Sequence, residues 1–86
     1  MVNAQNNISG KITTKDKAPA ANVNVEIKEL GKIISSDEAG YFQFHNLKNG
    51  SYHIAVSFTG LIPVEQPVVL NGGKEVELHF ILEENT

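Results

Sequence analysis

The sequence contains no cysteine and no arginine. Without cysteine no disulfide can staple the fold, and no thiol is present to act as nucleophile or metal ligand. The lack does not exclude export; it removes only one sign of it. Without arginine the bidentate donor for phosphate and guanine is missing, and the seven lysines form no cluster that replaces it. Nucleic acid is therefore not an expected partner, and the formal charge of −3 agrees. Long apolar runs are missing too, since none approaches the roughly 20 residues of a membrane-spanning helix. No window carries an amphipathic helical stripe. At 86 residues the chain makes one domain and hides only about 60% of its unfolded surface, so its stability margin is thin.

What is present is a period of two. Ile8, Gly10 and Ile12 alternate with Ser9, Lys11 and Thr13, and Val23, Val25 and Ile27 with Asn24, Glu26 and Lys28. Tyr52, Ile54, Val56 and Phe58 alternate with His53, Ala55 and Ser57, and Val76, Leu78, Phe80 and Leu82 with Glu77, His79 and Ile81. One apolar and one polar face per segment is the pattern of an antiparallel sheet between core and water. Turn signals separate the runs: Leu30-Gly31-Lys32, Asp37-Glu38-Ala39-Gly40, Lys48-Asn49-Gly50 and Asn71-Gly72. Seven strands are predicted, over 8–14, 22–30, 32–36, 41–45, 51–58, 62–70 and 74–82. This predicts an all-β, seven-stranded antiparallel Greek-key β-sandwich. Pro63 and Pro67 make the sixth run either irregular or a sheet edge, because proline cannot donate to a ladder.

The predicted core comprises Ile8, Ile12, Val23, Val25, Ile27, Phe42, Phe44 and Leu47, with Tyr52, Ile54, Val56, Phe58, Val76, Leu78 and Phe80. The domain is expected over 7–82, with flexible ends at 1–6 and 83–86. Val2-Asn3-Ala4 before Gln5 reads either as a signal-peptide remnant or as an ordinary loose terminus.

No constellation for catalysis emerges. No serine sits in a Gly-x-Ser-x-Gly elbow, and Asn71-Gly72-Gly73 lacks the rest of a phosphate loop. His53 and His79 lie on polar strand faces and would approach Glu75 or Glu77 only if their strands paired. A metal site needs three or four convergent ligands, so no metal or cofactor is assigned. In Asp37-Glu38-Ala39-Gly40, Ala39 interrupts the oxygen series a calcium loop requires. The role expected of Asp37 is to accept backbone N–H bonds within its turn. Asn7-Ile8-Ser9 and Asn49-Gly50-Ser51 match the glycosylation sequon, which matters only in a eukaryotic secretory pathway. Tyr52 is in phase with the core, which leaves Tyr41 as the aromatic candidate for a sugar platform. Leu61, Ile62, Val64, Val68 and Val69 crowd around two prolines, more apolar than an edge usually is; either they form a candidate protein-contact surface or half of them pack into the core and those left exposed form the contact.

Five short motifs occur in order: Ile8-Ser9-Gly10-Lys11-Ile12, Pro19-Ala20-Ala21-Asn22-Val23-Asn24-Val25, Ser36-Asp37-Glu38-Ala39-Gly40-Tyr41-Phe42, Leu47-Lys48-Asn49-Gly50-Ser51-Tyr52 and Ser57-Phe58-Thr59-Gly60-Leu61. Together they resemble the carboxypeptidase regulatory-like domain, a transthyretin-like sandwich. Departures are Ala20 for the usual glycine, Ser36 for threonine, Ala39 for Asp or Asn, and Leu61 for the corner aromatic. The resemblance implies structural turns at Asp37, Gly40, Gly50 and Gly60. Gly40 turns the chain before Phe42 enters the core, Gly50 lets Tyr52 point inward, and Gly60 breaks a strand where the chain crosses between sheets. Such domains lie beside metallocarboxypeptidase catalytic domains, in adhesins, and at the N-terminus of TonB-dependent outer-membrane receptors. The last context is the best fit. It implies a non-catalytic, exported domain on the periplasmic side of the outer membrane, contacting protein. A carbohydrate-binding or stalk module of a surface protein or secreted enzyme is the alternative.

Overall fold

In the computed structural model, which describes residues 5–83, every regular element is a strand: β1 (Asn6–Thr14), β2 (Asn24–Ile27), β3 (Lys32–Ser35), β4 (Tyr41–Leu47), β5 (Gly50–Ser57), β6 (Val64–Leu70) and β7 (Glu75–Leu82). They form a three-stranded sheet, β4-β1-β7, and a four-stranded sheet, β3-β2-β5-β6. The expected sandwich is the observed one, with one departure from an all-antiparallel pattern. β1 pairs with β7 in parallel, from Asn7 opposite Glu75 to Thr14 opposite Leu82. The antiparallel pairings are β1 with β4, β2 with β3 and β5, and β5 with β6. β6, which contains Pro67 and follows Pro63, lies at a sheet edge, where a missing N–H donor is tolerated.

The alternating apolar residues meet between the sheets. Ile8, Ile12, Phe42, Phe44, Leu78, Phe80 and Leu82 come from one layer, and Val25, Ile27, Tyr52, Ile54, Val56, Val68 and Leu70 from the other. Phe42 meets Phe44 edge-on at 6.1 Å between centroids, and Phe80 at the same separation. Gly10 makes this cluster possible. A Cβ on Gly10 would overlap the Phe42 ring and lie 2.8 Å from the Leu78 carbonyl oxygen. β1 therefore has no side chain at the one place where the ring crosses it.

Phe58 corrects the predicted core. It continues the alternation of β5, but that strand ends at Ser57, and Phe58 begins a turn in which Leu61 N donates to its carbonyl at 3.1 Å. The side chain is 44% exposed. Val76 only packs against the core margin, while Ala20, Val68, Leu70 and Leu82 join the buried set.

Buried polar groups tie the loops. The Ser36 hydroxyl donates to the Ala20 carbonyl at 2.6 Å and accepts from Val23 N at 3.0 Å, joining the loop before β2 to the end of β3. Asn6, expected within a flexible terminus, is instead a fully buried member of β1. Its amide donates to Leu47 O and to Asn49 Oδ1, each at 2.9 Å, and its oxygen accepts from Lys74 N at 2.7 Å. Three donor or acceptor positions fill at once, which offsets the cost of burying the amide. Glu83, expected in the other flexible end, is also held, since its carbonyl accepts from Ile62 N at 2.9 Å. The readings of Val2-Asn3-Ala4 and of 84–86 lie outside the described residues.

The turn at Gly40 has no slack. Its φ is +83°, its carbonyl accepts from Ile12 N at 2.7 Å, and a Cβ would overlap the Ile12 carbonyl oxygen. Gly40→Ala is expected to cost about 2 kcal/mol or more, lowering Tm by roughly 10 °C for a domain this size. Thermal unfolding followed by circular dichroism checks it, and an unchanged Tm would contradict the assigned geometry.

Candidate functional site

The turn residues take structural roles. Asp37 Oδ1 accepts from Ala39 N at 2.9 Å and from Tyr41 N at 2.8 Å, and Gly40 N donates to Asp37 O at 2.9 Å. This carboxylate oxygen holds the turn that delivers Tyr41 and Phe42 onto β4. Gly50 opens β5, and two residues on Tyr52 is buried with its hydroxyl donating to Lys48 O at 2.7 Å. Gly60 needs correction. Its φ is +82°, but β5 and β6 are neighbours in one sheet, so the chain makes a hairpin there. The chain crosses between sheets elsewhere, at β1–β2, β3–β4, β4–β5 and β6–β7, the tightest of these at Lys48 and Asn49 between β4 and β5.

The apolar candidates around the two prolines divide by strand phase. Val68 is 6% exposed and belongs to the core, and Leu61 and Val64 are half-buried against it. Only Ile62 and Val69 remain exposed, Val69 at 64%. Alternate residues of β6 point to opposite sides, so the five side chains do not form one contact surface.

The outer face of the β4-β1-β7 sheet holds a different grouping. Ser9 sits between Gln43 of β4 and Glu77 of β7, and Lys11 between Tyr41 and His79. These six side chains line a shallow depression of about 450 Å³, within the size range of small-molecule sites. Tyr41 is 50% exposed, and the Lys11 ammonium stands over its ring at 5.2 Å from the centroid. His79 Nε2 lies 3.2 Å from the Thr13 hydroxyl. Of this group the sequence singled out Tyr41 for a ligand and His79 and Glu77 for a metal. Ser9 and Gln43 escaped notice, because their proximity to Glu77 arises only from the pairing of β1 with both neighbours.

The histidines do not assemble. His53 is on β5 and His79 on β7, in different sheets. Among the described residues no group of three His, Cys, Asp or Glu side chains is placed to hold a metal. His53 pairs instead with Glu29, which reaches it from the β2–β3 turn. Nδ1 lies 2.5 Å from Oε2, and His53 N donates to Oε1 at 2.7 Å. The hydrogen bond and charge of Glu29 raise the His53 pKa, and the same bond lowers that of Glu29. Nearby, Lys28 Nζ meets Glu65 at 2.8 Å.

The sequence profile of the CarboxypepD_reg-like domain matches residues 8–86. No curated protein matches the chain. Among solved structures, a type II cohesin–X–dockerin complex from Acetivibrio cellulolyticus aligns with TM-score 0.76 and 20% identity, over 92% of this chain and 58% of the other. A minor pilin of Streptococcus agalactiae aligns with TM-score 0.77 and 14% identity, over 100% of this chain and 47% of the other. A proposed carbohydrate-binding protein of Pseudomonas aeruginosa aligns with TM-score 0.65 and 14% identity, over 94% of this chain and 90% of the other. At these identities the likenesses establish the fold alone. The chain spans 58% of the first of these structures and less than half of the second.

Two expectations arise from the side-chain positions. Val68→Asp buries an unpaired carboxylate and should cost several kcal/mol, whereas Val69→Asp should change stability by no more than about 0.5 kcal/mol. Urea unfolding separates the two, and equal losses would refute the assigned phase of β6. The second concerns pH. The contribution of raised His53 is full below the ordinary histidine pKa and is lost as pH rises through its folded value. The contribution of lowered Glu29 is present above the ordinary carboxylate pKa and is lost as pH falls through its folded value. The contribution is therefore full between the ordinary carboxylate and ordinary histidine values, and it fades on either side as pH passes through the folded values. NMR titration of the His53 ring should give a midpoint above the ordinary histidine value, moving down in Glu29→Gln; a midpoint indifferent to that substitution would exclude the pair.

Proposed function

The chain belongs to the CarboxypepD_reg-like domain family, and on that premise we propose that it is a non-catalytic accessory domain of a TonB-dependent outer-membrane nutrient receptor. Its place is the periplasmic side of the outer membrane, and its task is contact with protein or signalling rather than transport. The observation that carries this reading is the parallel pairing of the first and last strands. Because β1 and β7 run the same way, the chain enters the sandwich at one end and leaves at the other. A module threaded in this way carries the chain from one end of the sandwich to the other, so a chain that continues past β7 departs from the end opposite Asn6, as suits a spacer or relay. The family resemblance of the five ordered motifs supports the receptor context.

The non-catalytic part of the reading has its own support. The polar side chains that the turns bring together, Asp37 and Ser36, are committed to backbone hydrogen bonds that hold the loops. Groups held in that way serve the fold and are not free to move protons for a substrate.

Sequencing the parent gene beyond the codon for Thr86 tests the proposal. The expected result is a TonB box, a plug and a large barrel in the same frame. A reading frame that stops near residue 86 would overturn it. Tandem sandwich repeats or a catalytic domain would also overturn it, in favour of a stalk or carbohydrate-binding module.

A further inference from the structure

We propose that the depression on the outer face of the β4-β1-β7 sheet binds a neutral oligosaccharide. The site does not depend on the receptor reading, because it concerns one face of the domain and not the parts to which the domain is joined.

The shape comes from one small residue. Ser9 is the central position of its row, flanked by Gln43 and Glu77, and its short side chain leaves a floor between two longer walls. The flanking strands lie two inter-strand spacings apart, about 10 Å, a gap that takes a pyranose ring lying along β1. In the next row the half-exposed Tyr41 ring offers apolar surface to the C–H face of a sugar.

The chemistry of the lining fits hydroxyl groups. The Gln43 amide both donates and accepts, the Glu77 carboxylate accepts, and the Ser9 hydroxyl does either. Among the described residues these three side chains are engaged in no ion pair or side-chain hydrogen bond, and His79 is engaged only by Thr13. The contrast with the outer face of the other sheet is direct. There Glu29 holds His53 and Lys28 holds Glu65, so those four groups are already engaged with each other.

Charge selects against ionic ligands. The Lys11 ammonium and the Glu77 carboxylate are the formal charges of the depression and cancel, so neither a phosphate nor a polyamine gains from entering. Lys11 stands over the Tyr41 ring, a cation–π contact that limits the ring's orientations. All six side chains stand on paired strands rather than loops, which holds a constellation in place before the ligand arrives.

NMR titration of the nitrogen-15-labelled domain with cellohexaose, xylohexaose, mannohexaose and maltohexaose provides the test. At least one should shift the amides of Ser9, Lys11, Gln43 and Glu77 saturably, with little dependence on added sodium chloride. Tyr41→Ala and Gln43→Ala should each weaken that binding by about tenfold. Ile33→Ala, an exposed apolar site on the other sheet, should leave it unchanged. Unchanged thermal unfolding of the two variants shows that the fold survives. If none of the four sugars moves those amides at millimolar concentration, or if the shifts persist in Tyr41→Ala, the site is not a saccharide site.

Discussion

β1 and β7, the first and last strands, run side by side in the same direction over eight consecutive residue pairs. Much of the domain depends on that contact. It makes β1 the middle strand of its sheet, with β4 on the other side. It brings Lys74, just before β7, within reach of the buried Asn6 amide, which in turn holds the crossing between β4 and β5 through Leu47 and Asn49. A small all-β domain without disulfides has few other means of tying distant loops together. One buried asparagine with its donors and acceptor filled does part of that work, and Ser36 does the corresponding work at the end of β3.

The central position of β1 also decides what lies on each of its sides. Inward, Gly10 yields space to the Phe42 ring, and the aromatic cluster of Phe42, Phe44 and Phe80 closes over it. Outward, Ser9 and Lys11 alternate a short with a long side chain, and their neighbours on β4 and β7 rise around the short one. A single stretch, Ser9-Gly10-Lys11, thus shapes both the core and the depression on the surface. The other sheet is built differently. Its outer face is crossed by the Lys28–Glu65 and His53–Glu29 pairs, exposed contacts that contribute little to stability but leave those groups occupied.

Strand existence and the identity of most core residues were legible because both derive from local alternation. Val23, Val25, Ile27, Ile54, Val56, Leu78 and Phe80 all lie inside as their phase requires. Phe58 shows the limit of that reasoning, since alternation carries no information about where pairing stops, and β5 stops one residue earlier. Val68 and Val69 show another: both are apolar and adjacent, and only the register of β6 against β5 assigns one to the core and the other to water. Asn6 was misplaced for a related reason. A polar residue near a terminus reads as solvent-facing, and the partners that make its burial tolerable are 41 and 68 residues away in sequence.

By itself the sequence determined that the chain folds as strands, which turns need Asp37 and Gly40, and the family to which the domain belongs. Those properties are carried by residues close together in the chain, where side-chain period and turn chemistry act directly. Tertiary structure alone decided that the terminal strands pair in parallel, that His53 and His79 stand in different sheets, and that Ser9, Gln43 and Glu77 share one row. Each of these depends on which strand pairs with which and in what register, and that choice is made by the whole core at once.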